Sequence, residues 1–149
     1  MIESIASAAA KSVVWAMDPN DRIKLLQPEV QDYFRGLIFL LALAGYGRAK
    51  VCAGLRDLDY QRKLYGIGRT QAECRKAGVS ELYADVGHDK VTWCLPEDSA
   101  HVIGCAVDVD FAVYGTLDLL RIRRCACVCN MAWGGDWSEK DYGHFEIRR

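Results

Sequence analysis

Two histidines and one aspartate in this chain have the residue types and spacing to hold a metal ion. The stretch Ser99 to Phe111, SAHVIGCAVDVDF, places an imidazole at His101 and a carboxylate at Asp108, with Gly104 between them where the backbone must bend. Apolar and acidic residues then alternate with the period of a strand. Val107, Val109 and Phe111 share one face, while Asp108 and Asp110 share the other. In DYGHFEI, near the end of the chain, His144 and Glu146 alternate with Phe145 and Ile147, so both point the same way from a second strand. Two imidazoles and one carboxylate are a common ligand set for a catalytic zinc, which keeps a fourth position open for water. Glu146, on the face of His144, is placed to orient that imidazole. The third histidine, His88, lies in the polar loop YADVGHDK and is read as a solvated loop residue.

The elements around these residues follow from periodicity and punctuation. Residues 1 to 24 suggest an amphipathic lead helix, with Ile5, Ala9, Val13 and Ala16 at helical spacing before Asp18-Pro19-Asn20 breaks it. A second helix starts at Pro28 and buries Val30, Phe34, Leu37, Ile38 and Leu41, ending near Gly45 and Gly47. AKVCAGL alternates as a strand that delivers Arg56 at its end. Asp57 is a candidate cap for the next helix, where Leu58, Gln61, Leu64 and Tyr65 recur. QAECRKAG is a short helix ending at Gly78. After the Asp108 strand, Tyr114-Gly115 turns into a helix from about Thr116 to Asn130, then comes a strand at Met131 to Trp133 and a tight Gly134-Gly135 hairpin turn. The resulting fold class is α+β, with helices packed on a small antiparallel sheet that carries the metal.

Composition narrows the partners. A chain of 149 residues suits one domain, here a core of about 28–147 with residues 1–24 as a helical extension. A net charge of −1 gives no general electrostatic reason to bind nucleic acid. GLIFLLALAGYG, the most apolar segment, is too short to span a bilayer, so no membrane insertion is expected. The N-terminus opens with Glu3 and is interrupted by Lys11, which argues against a cleaved signal peptide. The seven cysteines show no paired C-x2-C knuckles, and Cys125, Cys127 and Cys129 follow a helical pattern in which they serve as small buried apolar residues.

The order SAHVIGCAVD followed by DYGHFE resembles the zinc peptidases that cleave D-alanyl-D-alanine or L-alanyl-D-glutamate bonds in peptidoglycan. That family includes VanY-like carboxypeptidases, vancomycin-resistance dipeptidases and bacteriophage endolysins. Its pattern of S-x-H, six residues, D, and an acidic residue three before a second His is matched at Ser99, His101, Asp108, Asp141 and His144. GLRDLDYQRKLYGIGRT resembles the family's Arg and Gln block, VTWCLPEDSAH its approach to the first ligand, and MAWGGDW its Gly-Gly turn, so the likeness covers roughly Pro28 to Ile147. The segment Val79 to Lys90 is longer than the usual connection there and is expected to reach over the cleft.

The resemblance implies a hedgehog-like α+β domain, a monomer with one Zn2+ held by His101, Asp108 and His144. It implies Asp141 as general base and Arg56 as the cation that stabilises the developing oxyanion. Ser99 and Gln61 would position substrate or the groups around the metal. The activity it implies is cleavage of the peptidoglycan stem peptide, foremost as a phage-type L-alanyl-D-glutamate endopeptidase that reaches the wall after release. A D-alanyl-D-alanine carboxypeptidase or dipeptidase is the alternative bond specificity. A zinc-containing module that binds without catalysis is the alternative of another class.

Overall fold

The computed structural model describes residues 19–112 and 117–148. The expected lead helix therefore lies mostly outside the described residues, and its last part, Pro19–Leu25, is a 3-10 helix that buries Ile23. Helix α1 (Pro28–Leu43) begins with proline in its first turn, where the missing N–H costs nothing. Val30, Phe34, Leu37 and Leu41 recur at three- and four-residue intervals and are all buried, with Ile38 partly buried at the edge of the stripe. Burial of each such side chain stabilises the fold by about 1.5–3 kcal/mol.

Strand β1 (Lys50–Ala53) leads through Arg56 to helix α2 (Leu58–Gly66), which Asp57 caps by accepting the Tyr60 N–H. Helix α3 (Gln71–Lys76) starts with a reciprocal capping box between Thr70 and Glu73. The segment Val79 to Lys90 does not reach over the cleft as a lid. Its 3-10 turn, Glu81–Tyr83, packs against α2 and α3, with the Tyr83 hydroxyl donating to Asp59 and the Val79 N–H to the Cys74 carbonyl. Polar anchors of this kind fold the insertion back onto its own helices, and Lys90 brings it to the cleft wall.

Helix α4 (Ala100–Ile103) is a single turn, closed by Gly104 at φ +80°, and it delivers the chain into strand β2 (Ala106–Asp110). The Tyr114-Gly115 turn lies outside the described residues. Helix α5 (Leu119–Val128) begins three residues later than its expected start because Asp118 caps it, accepting the Arg121 N–H. Cys125 and Cys129 face the core, whereas Cys127 is exposed, and all seven thiols are free.

Strand β3 (Ala132–Trp133) is followed by a 3-10 turn, Gly134–Asp136, and not by a two-residue hairpin. The Gly134 carbonyl accepts N–H groups from both Trp137 and Asp141, which folds the loop back on itself before strand β4 (His144–Glu146). The four strands pair antiparallel in the order β1-β2-β4-β3. Val51, Val107, Val109 and Phe145 supply the sheet's contribution to the core, which α1 and α5 cover. The architecture is α+β, helices with a small four-stranded antiparallel sheet. Among the described residues no helix is long and apolar enough to cross a membrane.

Candidate metal centre

Strand register brings the ligand candidates together. Asp108 on β2 lies directly opposite His144 on β4, flanked by the Val107–Phe145 pair, whose side chains enter the core from the other face. His101 comes from α4, one turn before β2, and the Arg56 N–H donates to its carbonyl at 3.0 Å. His101 and His144 are buried and Asp108 is half-buried.

Each imidazole is fixed from behind. His101 Nδ1 is 2.8 Å from the Gly54 carbonyl, which can only accept, so the proton sits on Nδ1 and Nε2 faces inward. His144 Nε2 donates to Glu146 Oε2 at 3.0 Å, which turns Nδ1 inward. These partners choose the tautomers that a metal needs. His101 Nε2, His144 Nδ1 and Asp108 Oδ1 then form a triangle with edges of 3.2, 3.2 and 3.3 Å. Ligand atoms around a tetrahedral zinc with bonds of 2.0–2.1 Å are about 3.3–3.4 Å apart, so the triangle matches one face of that polyhedron. The three residues form a group able to hold a metal ion.

Protonation of the metal-free protein follows the same geometry. Burial pushes the Asp108 carboxyl up, but the adjoining imidazoles of His101 and His144 outweigh it and hold that carboxyl far below the ordinary range. Burial pushes His144 down, yet its hydrogen bonds to Asp108 and Glu146 prevail and raise it to about 9. Its hydrogen bond with His144, against burial and aided by Arg148, holds Glu146 at about 2. An imidazolium bridging two carboxylates thus supplies positive charge where a cation would supply it instead.

All eight residues singled out from the sequence line one cleft of about 640 Å³. Arg56 Nη1 donates to Gln61 Oε1 at 2.8 Å, and Nη2 approaches Asp108 Oδ2 at 3.4 Å. Its pairing is therefore with the ligand set, while Asp57 caps α2 and Asp59 pairs with Lys63. Gln61 is fully buried on the inner face of α2. Ser99 is buried at the start of α4 without capping it through its side chain. Asp141 is exposed at the cleft, in the loop that Gly134 organises; a Cβ on Gly134 would lie 2.2 Å from the Asp141 carbonyl oxygen. Asp136 lies outside the cleft, paired with Arg123 at 3.0 Å, and His88 is exposed. Two neighbours escape sequence reasoning. Trp137 packs over His144 with ring centroids 4.8 Å apart, and the Thr92 hydroxyl meets Gln61. Both fall in stretches that carry the resemblance, Trp137 in MAWGGDW and Thr92 in VTWCLPEDSAH, but neither belongs to a periodic pattern that would single it out.

The fold and the site define an α+β protein with a His–Asp–His metal-type centre in a cleft. No family model and no curated protein matches the chain. Among solved structures it is similar to the L-Ala D-Glu endopeptidase ChiX of Serratia marcescens, at 22% identity over 88% of this chain and 86% of that one, with a TM-score of 0.46. A likeness of that degree leaves the function to the chemistry of the site.

Proposed function

We propose that the chain is a zinc-dependent peptidase that cleaves the stem peptide of peptidoglycan at the L-alanyl-D-glutamate bond, in the manner of an endolysin. The observation that carries this reading is the triangle of inward-facing Nε2, Nδ1 and carboxylate oxygen at 3.2–3.3 Å, opening onto a cleft that also holds Asp141 and Arg56. The motif resemblance over residues 99–146 supplies the substrate class. Bound zinc would lower the pKa of a water in its open position to about 7. Asp141 takes the proton of the attacking water and returns it to the departing amine. Arg56 places two N–H groups on Gln61 and Asp108 and lines the cleft, where its guanidinium can stabilise the carbonyl oxygen as it gains charge.

The test is digestion of purified cell walls by the zinc-loaded protein, with the new termini identified by mass spectrometry. A free L-alanine carboxyl is the expected product. Released D-alanine would replace this reading with a carboxypeptidase. No cleavage of walls or stem peptides at any pH would leave a zinc-containing binding module.

A further inference from the structure

Residues 90–94, which run from the end of the insertion toward the first ligand in sequence, line the cleft. Lys90 ties this wall to Glu73 at 3.1 Å, and Thr92 ties it to the rest of the molecule twice more. From behind, the guanidinium of Arg69 donates through Nη2 to the Thr92 carbonyl at 2.8 Å and through Nη1 to the Tyr65 carbonyl at 2.5 Å, while it stacks on the Tyr65 ring at 3.7 Å. Arg69 is only 5% exposed. A cation that is buried to hold one loop carbonyl makes that loop position fixed.

From the front, the Thr92 hydroxyl lies 3.3 Å from Gln61 Nε2. The orientation of this amide is set by chemistry. A guanidinium can only donate, so the oxygen of Gln61 must face Arg56 and its NH2 must face Thr92. The Thr92 oxygen therefore accepts, and without it a buried amide N–H would lose its partner. A linked set of hydrogen bonds results: Arg69 donates to the Thr92 carbonyl, Gln61 to the Thr92 hydroxyl, and Arg56 to both Gln61 and Asp108.

We propose that Thr92 is a positioning residue, whose hydroxyl fixes the Gln61 amide and through it the Arg56 guanidinium, with Arg69 holding Thr92 in place from behind. The catalytic consequence rests on the peptidase reading above; the positional claim does not. A guanidinium held by a single donor pair to Asp108 would rotate away from the carbonyl it has to meet, and misplacement at this scale is expensive in rate.

The test compares Thr92→Val, which keeps the shape and removes the hydroxyl, with Thr92→Ser, which keeps the hydroxyl. Both are made in the full chain with zinc bound. One readout is kcat and KM on a soluble stem peptide; the other is the rotation rate of the Arg56 guanidinium by 15N NMR, assigned by the signal lost in Arg56→Lys. Thr92→Val should lower kcat about five- to tenfold, the scale of one hydrogen bond, with KM and zinc stoichiometry unchanged. Guanidinium rotation should quicken, and Thr92→Ser should restore both. In an Arg56→Lys background Thr92→Val should cost nothing more. Unchanged rotation in folded Thr92→Val, or an equal loss in Thr92→Ser, overturns the proposal. Should Thr92→Val not fold, Thr92→Ala carries the same comparison. If wild type cleaves no stem peptide, the peptidase reading fails and the NMR comparison still decides the positioning of Arg56.

Discussion

A general base has to be free to take a proton, and four acidic residues near the end of the chain compete for that role; of these Glu139 and Asp141 line the cleft without an ion pair among the described residues, and only Asp141 stands three residues before His144. Asp136 is held by Arg123, and Glu146 is shared between His144 and Arg148. Asp141 faces the cleft and pairs with no cation among the described residues. Asp141→Asn should keep fold and metal, measured by circular dichroism and metal analysis, and lose about 10²-fold or more in turnover, the scale of lost acid–base help. Wild-type rates in that zinc-loaded variant would move the base to another carboxylate. At this scale the sequence was highly informative for the ligand triangle, because a period of two fixes which side chains of β2 and β4 share a face. It said little about what stands behind each group. The Gly54 carbonyl that sets the His101 tautomer and the Thr92 hydroxyl on Gln61 come from distant segments, and backbone acceptors carry no residue signature.

Elements were legible where burial is periodic and poorly legible where loops decide. The α1 stripe and the Asp57 cap follow from spacing and residue type, whereas the Gly134-Gly135 pair suggested a hairpin that the structure replaces with a 3-10 turn. The reason is a close approach: backbone of residue 141 packs where a Gly134 side chain would be. Gly134→Ala should displace the Asp141 loop, so activity should fall at least tenfold while zinc binding, read by chelator competition, is nearly kept; the estimate follows from the sensitivity of rate to about 1 Å of misplacement. Equal losses of both would show that the loop also supports the ligands. The capping box of α3 makes a separate prediction for acid stability. A hydrogen bond from the Thr70 N–H, then Lys90, then the Thr70 hydroxyl lower the Glu73 carboxyl from 4.5 to about 2. A depressed folded pKa contributes stability above the unfolded value of 4.5, and that contribution is lost as pH falls through about 2. Glu73→Gln should therefore be less stable than wild type at pH 7, and the gap in urea midpoints should close between pH 4.5 and 2. A constant gap would assign the effect to helix propensity alone.

For the molecule as a whole, the centre is a long-range structure. Its three ligands come from α4, β2 and β4, which meet only once the sheet has formed around Phe145 and its buried neighbours. The unfolded chain holds no preformed triangle, so a metal that binds the native state stabilises it by mass action. Zinc at a hundredfold excess over its dissociation constant should add about 2.7 kcal/mol. For a chain of this size that is a rise in Tm of about 5–11 °C. Magnesium should give no such rise, because it prefers oxygen ligands and two of the three donors are imidazole nitrogens. The decisive control concerns the thiols. Cys125 and Cys127 on α5 and Cys129 at its C-terminal cap stand close in sequence, all seven cysteines are free, and thiolates also bind zinc. In His144→Ala the zinc-dependent rise should vanish while the fold persists, and in Cys127→Ala, which removes the exposed thiol of that cluster, the rise should be kept in full. A rise that survives His144→Ala and disappears in Cys127→Ala would place the stabilising metal on the helix and remove it from the His101–Asp108–His144 triangle.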